Sequence, residues 1–250
     1  MAPGMNPALF FATASIVTDK SPTSHTSSDM KKIGMLTIGQ SPRTDILPGF
    51  LEILGDGYEV IEVGALDGLT LKDIERIDFR PDDYLLVSRM RDGTEIRRTK
   101  RFVLPLVQRK IRELEEKGVD IIVIMCTGKF PQFESRGLIV TPQEIIKGVL
   151  KGTLKRGRLG VVYPAKEQRA KVASDYGREG VQVYADYLSP YRGLDEVEQL
   201  AERLSEQSLD LVLLNCFGFS SEVRRVVAER TGVPVIQSNA LVARVLKALV

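Results

Sequence analysis

Asp120-Ile-Ile-Val-Ile-Met-Cys126-Thr-Gly128 and Asp210-Leu-Val-Leu-Leu-Asn-Cys216-Phe-Gly218 are two copies of one frame. In each, an aspartate precedes four aliphatic residues, a variable residue, a cysteine, a second variable residue and a glycine. The chain has two cysteines, and both stand at the same place in this frame. Four consecutive aliphatic residues without polar alternation read as a strand covered on both faces, as in a parallel sheet. A charged stretch with helical character precedes each copy. Each cysteine is therefore expected at the carboxyl end of a buried strand, where open parallel sheets bind ligands.

The pattern around the first frame is a strand over residues 33–39, then a helix opened by Ser41 as cap and Pro42 in its first turn. A strand follows over 58–63. An apolar run at 84–87 and a strand at 95–98 flank Asp92-Gly93, a hairpin signal. Residues 102–117 carry apolar side chains at 103, 104, 107, 111 and 114, the spacing of a helix. Thr141-Pro142-Gln143-Glu144 reads as a capping box that starts a helix running to about 154. The order then restarts. Strands are expected at 159–163, 181–185, 209–215 and 233–237. Helices are expected at 165–176, 194–206, from Ser220 or Ser221 to 231, and at 239–250.

Alternating strands and helices predict an α/β fold of two similar sandwich domains, each with a parallel sheet, and a cleft between them. The expected division is a first domain over 31–140 and a second over 141–237. The last helix, about 238–250, is expected to pack back on the first. Residues 1–29 are rich in Ser, Thr, Pro and Ala with little charge, and read as a disordered extension.

The 250 residues carry 35 basic and 33 acidic side chains, well mixed, which argues against a nucleic-acid or anionic-membrane partner. No apolar run approaches the roughly 18 residues of a membrane span. Two cysteines in a chain of this size do not make a disulfide scaffold, so a reducing, cytoplasmic setting is expected. The one histidine, His25, lies in the extension, which removes histidine catalysis and histidine metal sites from the folded part. No metal and no organic cofactor is expected, and a homodimer is one expected assembly.

Cys126 and Cys216 are the candidate catalytic residues. A thiolate on one wall of a cleft removes a proton from a carbon while a thiol on the other donates one. The helix start after Cys216 is expected to favour its thiolate. Thr127 and Gly128 offer a hydroxyl and backbone donors for a carboxylate, and Phe217 and Gly218 occupy the matching places. The alternative reading is two small buried hydrophobes. Gln40, Ser41 and Arg43, in the turn after the first strand, are candidate anion contacts, or an ordinary cap with a surface arginine. Arg89 faces the same cleft or is a solvated hairpin residue. Tyr163 and Gln168 follow the first strand of the second unit and are candidate polar contacts, or part of a proline-started helix. Ser238-Asn239, at the end of the last strand, either contributes to the cleft or caps the final helix, and reads first as the cap. Arg97-Arg98-Thr99-Lys100-Arg101 lacks the interleaved aromatics of a single-strand binder.

Thr-Ile-Gly-Gln-Ser-Pro-Arg (37–43), Ser-Arg-Met-Arg-Asp-Gly-Thr (88–94), Met-Cys-Thr-Gly-Lys-Phe-Pro (125–131) and Asn-Cys-Phe-Gly-Phe (215–219) resemble the AroM protein family, over residues 32–250. That family is similar to a branch of the aspartate/glutamate/hydantoin racemase superfamily. The resemblance implies two α/β sandwiches with one cysteine from each flanking a central cleft. It implies cofactor-independent racemases, isomerases or decarboxylases of small carboxylates, with Cys126 and Cys216 at the two cysteine positions. Gln40-Ser41-Pro42-Arg43 replaces the small-residue turn of the racemases, and Thr127-Gly128 replaces their Asn-Thr, so substrate identity does not carry over. The family name associates it with aromatic amino-acid metabolism.

The expected function is a racemase-like or isomerase-like enzyme that uses the two cysteines at a carbon next to the carboxylate of a small acid. The rivals are a one-thiol decarboxylase or cis-trans isomerase, and a non-catalytic small-molecule-binding or regulatory protein.

Overall fold

The two cysteine frames become equivalent strands of two parallel sheets with one topology. This computed structural model describes residues 30–75, 80 and 83–250; the extension expected over 1–29, with His25, lies outside the described residues. The first half runs β1 (Lys31–Thr37), α1 (Leu47–Leu54), β2 (Tyr58–Gly64), α2 (Leu71–Glu75), β3 (Leu85–Arg89), β4 (Glu95–Thr99), α3 (Lys100–Glu116), β5 (Ile121–Ile124) and β6 (Leu138–Val140). The second runs α4 (Pro142–Thr153), β7 (Gly157–Tyr163), a 3₁₀ turn (Lys166–Lys171), α5 (Val172–Tyr176), β8 (Val181–Tyr187), α6 (Leu194–Ser205), β9 (Leu211–Leu214), α7 (Ser221–Thr231), β10 (Val235–Gln237) and α8 (Ser238–Leu249).

The sheet orders are β2-β1-β5-β6 and, read from the other edge, β8-β7-β9-β10. All pairings in both are parallel. In each sheet the first strand leads to a neighbour on one side and the third strand lies on the other. The connections therefore diverge between β1 and β5, and between β7 and β9. Such a switch point leaves a crevice at the carboxyl ends of the strands. Cys126 and Cys216 each stand two residues beyond β5 and β9, at these two switch points.

Helix burial follows the apolar spacing. Thr99 caps α3, its hydroxyl accepting from the Phe102 amide at 3.2 Å, and Val103, Val107, Ile111 and Leu114 form its buried stripe. In the second half α6 buries Val197, Leu200, Ala201 and Leu204. Each fully buried Val or Leu contributes on the order of 2 kcal/mol of transfer free energy. The C-terminal α8 puts Val242, Ala243 and Leu246 into a core with Phe50 and Leu54 of α1 and Ile33 and Met35 of β1.

Four local expectations are corrected. Ser41-Pro42 does not open a helix: the Ser41 amide and hydroxyl both donate to Asp67 (2.8 and 2.6 Å), and α1 begins at Leu47 with Pro48 in its first turn. Thr141 precedes α4 without a side-chain cap, although Pro142 does start that helix. The helix expected over 165–176 divides into the 3₁₀ turn and the short α5. The strand β6 and the helix α2 were not expected; each is shorter than the window over which periodicity can be read.

The hairpin β3–β4 has the expected Asp92-Gly93 turn, with Gly93 at φ +97° and the Asp92 carboxylate accepting from the Thr94 amide at 2.9 Å. It bonds to both sides of the site. The Gln40 amide donates to the Arg89 carbonyl at 3.1 Å. Across the chain, Gln168 Nε2 donates to the Leu85 carbonyl at 2.8 Å, Arg97 pairs with Glu167 at 3.5 Å, and the Ser189 hydroxyl donates to Glu95. Gly39 is where β1's end meets the hairpin. A Cβ there would lie 2.3 Å from Ser88 Oγ and 2.4 Å from the Arg89 carbonyl. Gly39→Ala is therefore expected to cost about 3 kcal/mol, the upper range of overpacking because backbone must shift. Urea denaturation of the two proteins measures it; equal midpoints would show that the hairpin yields freely.

Candidate active site

The two thiols are held in the same way. Cys126 Sγ accepts from the Gly128 amide at 3.3 Å and Cys216 Sγ from the Gly218 amide at 3.4 Å. The glycines two residues on sit close to neighbours: a Cβ would meet Leu86 Cδ2 at 2.8 Å at Gly128, and Pro190 Cγ at 2.9 Å at Gly218. The two loops also touch, since the Thr127 hydroxyl donates to the Asn215 carbonyl at 3.0 Å. The residue after one cysteine is thus bonded to the residue before the other. The Asn215 side-chain oxygen accepts from Tyr176 at 2.9 Å.

The second loop is pinned from α8. The Ser238 hydroxyl donates to the Leu214 carbonyl at 2.6 Å, and Asn239 Nδ2 donates to the carbonyls of Phe217 and Phe219 at 2.8 and 3.0 Å. The expected cap role is corrected: α8 has no side-chain cap, and Ser238 and Asn239 fix the Cys216 loop instead.

Cys126 and Cys216 are 9 % and 7 % exposed. Burial pushes the Cys126 thiol up to about 12, against the Gly128 amide and Arg43, which favour the thiolate; the Cys216 thiol raises it further. Burial pushes the Cys216 thiol up to about 11, against the Gly218 amide and Arg43, and Asp45 and Glu95 add to the rise. The expectation that α7 lowers the Cys216 thiol is corrected. The helix is present, with Ser220 as its cap, but desolvation outweighs it. Both thiols are protonated at neutral pH. Their iodoacetamide alkylation is expected to rise about tenfold per pH unit well beyond pH 8.5, where an ordinary thiol levels off, with Cys216 reacting first. A plateau near pH 8.5 would contradict this environment.

Arg43 is the buried cation of the site, 3 % exposed. Its Nη1 donates to the Thr37 hydroxyl at 3.0 Å, and its Nε and Nη2 donate to the two oxygens of Asp45 at 2.9 and 2.8 Å. Nη2 also donates to the Tyr191 hydroxyl at 3.3 Å. Burial opposes the charge, but the bonds that the guanidinium donates to Asp45, and the nearby Tyr191, hold it above its ordinary pKa. Burial also opposes the Asp45 carboxylate, yet Arg43 and then Arg89 hold that carboxyl below its ordinary value. Arg89 Nη1 stands 3.7 Å from Asp45, and its guanidinium lies 5.9 Å from the Tyr191 ring centroid. Arg89 is thus a partly buried hairpin residue beside the Arg43–Asp45 pair.

The other expected contacts are engaged within the chain. Gln40 Nε2 donates to the Leu66 and Leu69 carbonyls at 3.1 and 2.7 Å, and its oxygen accepts from the Arg91 amide at 3.0 Å. Ser41 is bound to Asp67, Thr127 to Asn215, and the Gly128 and Gly218 amides to sulfur. Phe217 is buried in the core with its ring centroid 6.0 Å from that of Phe50. The Tyr163 hydroxyl donates to Asp175 at 3.2 Å, and Gln168 ties the 3₁₀ turn to Leu85. Asp45 and Tyr191 were missed. Asp45 had a signal in its spacing of two from Arg43. Tyr191 had one in Ser189-Pro190-Tyr191-Arg192-Gly193, an aromatic among turn residues after β8.

Among the described residues, no group of three or more His, Cys, Asp or Glu side chains is placed to hold a metal ion. No helix among them is long and apolar enough to cross a membrane.

Among curated proteins, none matches this chain significantly. Solved structures do match. Glutamate racemase from Francisella tularensis subsp. tularensis SCHU S4, solved with D-glutamate, aligns at TM-score 0.55 and 16 % identity, over 88 % of this chain and 81 % of that one. Unliganded arylmalonate decarboxylase aligns at 0.52 and 17 %, over 87 % and 92 %. Maleate isomerase Iso from Pseudomonas putida S16 aligns at 0.56 and 16 %, over 88 % and 92 %. At such identities the likeness is one of fold, and it spans both sheets. The sequence pattern described as AroM protein covers residues 33–250, both sheets and both cysteine loops. The chain belongs to the AroM protein family.

Proposed function

We propose that this AroM protein is a cofactor-independent enzyme that moves a proton at the carbon next to the carboxylate of a small acid. Cys126 and Cys216 act as opposed acid and base. One observation carries this reading: the thiols occupy equivalent switch points of two like sheets, and their loops are joined by the Thr127–Asn215 bond. Racemases, an isomerase and a decarboxylase with this fold add support.

The working form of the pair lacks one proton. The thiolate takes the α-hydrogen and becomes a thiol; the electron pair passes into the carboxylate as an enolate. The opposite thiol then protonates the other face and becomes the thiolate. The glycine amides bonded to each sulfur favour whichever sulfur is charged, and Arg43 favours both. With both thiols raised, the singly deprotonated pair is scarce at neutral pH, and turnover rises with pH toward about 11, the value of Cys216.

A one-thiol reading is favoured by one asymmetry of the site: Asp45 and Glu95 act on Cys216, although both thiols pack in the core of their own half. In that reading Cys216 alone protonates an enolate, as after loss of carbon dioxide. Proton exchange in heavy water, followed by NMR over a panel of small carboxylic acids, tests the proposal. At least one acid is expected to lose its α-hydrogen signal. A folded protein that exchanges none of them would speak against catalysis.

A further inference from the structure

The arginine pair of the site already holds a carboxylate, and it is the chain's own. Asp45 accepts from Arg43 through both oxygens at 2.9 and 2.8 Å, the side-on fork by which a guanidinium binds a carboxylic acid. Arg89 approaches the same carboxylate at 3.7 Å, and Tyr191 touches both arginines. Burial within this group is uneven. Arg43 is 3 % exposed, whereas the Asp45 and Arg89 side chains are 19 % and 20 % exposed. Arg43 is also held by Thr37, and Asp45 is the more exposed partner of the pair. Asp45 also borders a cavity of about 710 Å³ with Ile46, Phe50, Ile236 and Leu241 in its wall. Upstream, Gln40 and Ser41 are anchored to Leu66, Leu69 and Asp67, so the turn has a fixed base and a partly exposed carboxylate.

We propose that Arg43 and Arg89 form the carboxylate subsite of this protein, and that Asp45 fills it in the resting chain as a stand-in that the ligand's carboxylate displaces. This rests on the reading above only in placing the ligand's acid group beside the cation that acts on both thiols. The ligand class is a planar carboxylate; a spherical anion lacks the two oxygens that match the fork. Displacement exchanges one carboxylate for another on the same arginine, so the gain per ligand is small while Asp45 is present. A tethered competitor acts at an effective concentration in the millimolar range or above, so its removal strengthens carboxylate binding.

The test is chemical rescue of the full chain carrying Asp45→Ala, with acetate as probe and chloride at equal ionic strength as control. Thermal unfolding is followed with no turnover required. The variant is expected to unfold at lower temperature than the parent, and acetate is expected to raise its midpoint where chloride does not. A ligand that binds only the folded state stabilises it in proportion to the logarithm of its concentration. The parent is expected to respond to acetate no more than to chloride, and acetate affinity for the variant is expected to be at least about tenfold higher. If acetate and chloride act alike on the variant, or acetate stabilises parent and variant equally, the proposal is overturned. Should Asp45→Ala fail to fold without acetate, Asp45→Asn undergoes the same titration and the same two criteria decide. Rescue without isotope exchange keeps the subsite and removes the chemistry; exchange without rescue does the reverse.

Discussion

Arg43→Met is expected to destabilise the protein by about 3 kcal/mol, the lower end for breaking a buried charge pair. The lower end applies because Asp45 is 19 % exposed and retains Arg89 at 3.7 Å. The Thr37 and Tyr191 hydroxyls lose their guanidinium partner in the same step. In a chain of this size the midpoint should fall by roughly 6–12 °C. Adding Asp45→Leu should recover most of the loss, because replacing both members of a buried pair by apolar groups costs far less than removing one. Thermal unfolding of the single and double variants measures both effects. The single variant should also slow Cys216 alkylation at fixed pH, because Arg43 favours that thiolate. A parent-like midpoint with unchanged alkylation would show that the guanidinium does not hold the site together.

The matched cysteine frames made the architecture legible. An aspartate, four aliphatic residues and a cysteine can be read as a buried strand end without any tertiary information, and the repeat of the surrounding elements gives two like sheets. The orders β2-β1-β5-β6 and β8-β7-β9-β10 are that repeat in space. The site was legible in part. Cys126, Cys216, Arg43 and Arg89 stood out in the sequence as candidates, each beside an ordinary reading as a buried hydrophobe, a surface arginine or a solvated hairpin residue. The partners did not show, for physical reasons. Tyr191 lies 148 residues from the arginine it touches, and Asn215 lies 88 residues from Thr127. Such pairings are decided by how the halves pack, which local spacing does not encode. Ser41 and Ser238 misled for a related cause: a serine before a helix reads as a cap, but each hydroxyl finds a stronger acceptor in tertiary contact, Asp67 and the Leu214 carbonyl. The thiol acidity was misjudged in sign because the helix start after Cys216 is visible in sequence while the desolvation around it is not.

The hairpin β3–β4 is the main departure from the repeat. It follows α2 in the first half and has no counterpart in the second. Through Arg89 it reaches Asp45 and Tyr191, and through Leu85, Arg97 and Glu95 it meets Gln168, Glu167 and Ser189. The two thiols come from repeated elements, while the second arginine of the carboxylate group comes from the inserted one. The likeness to several solved enzymes at 16–17 % identity is one of the fold.

The central claim is that Cys126 and Cys216 act on opposite faces of one carbon. With any acid that the parent exchanges, the decisive measurement is stereochemical inversion and α-hydrogen exchange, starting from each enantiomer, in Cys126→Ser and Cys216→Ser. Both variants are expected to lose inversion by roughly 10²–10⁴-fold, the usual contribution of a positioned acid or base. Residual exchange should be confined to one enantiomer in the first variant and to the other enantiomer in the second. Full inversion in either variant would contradict the two-thiol account.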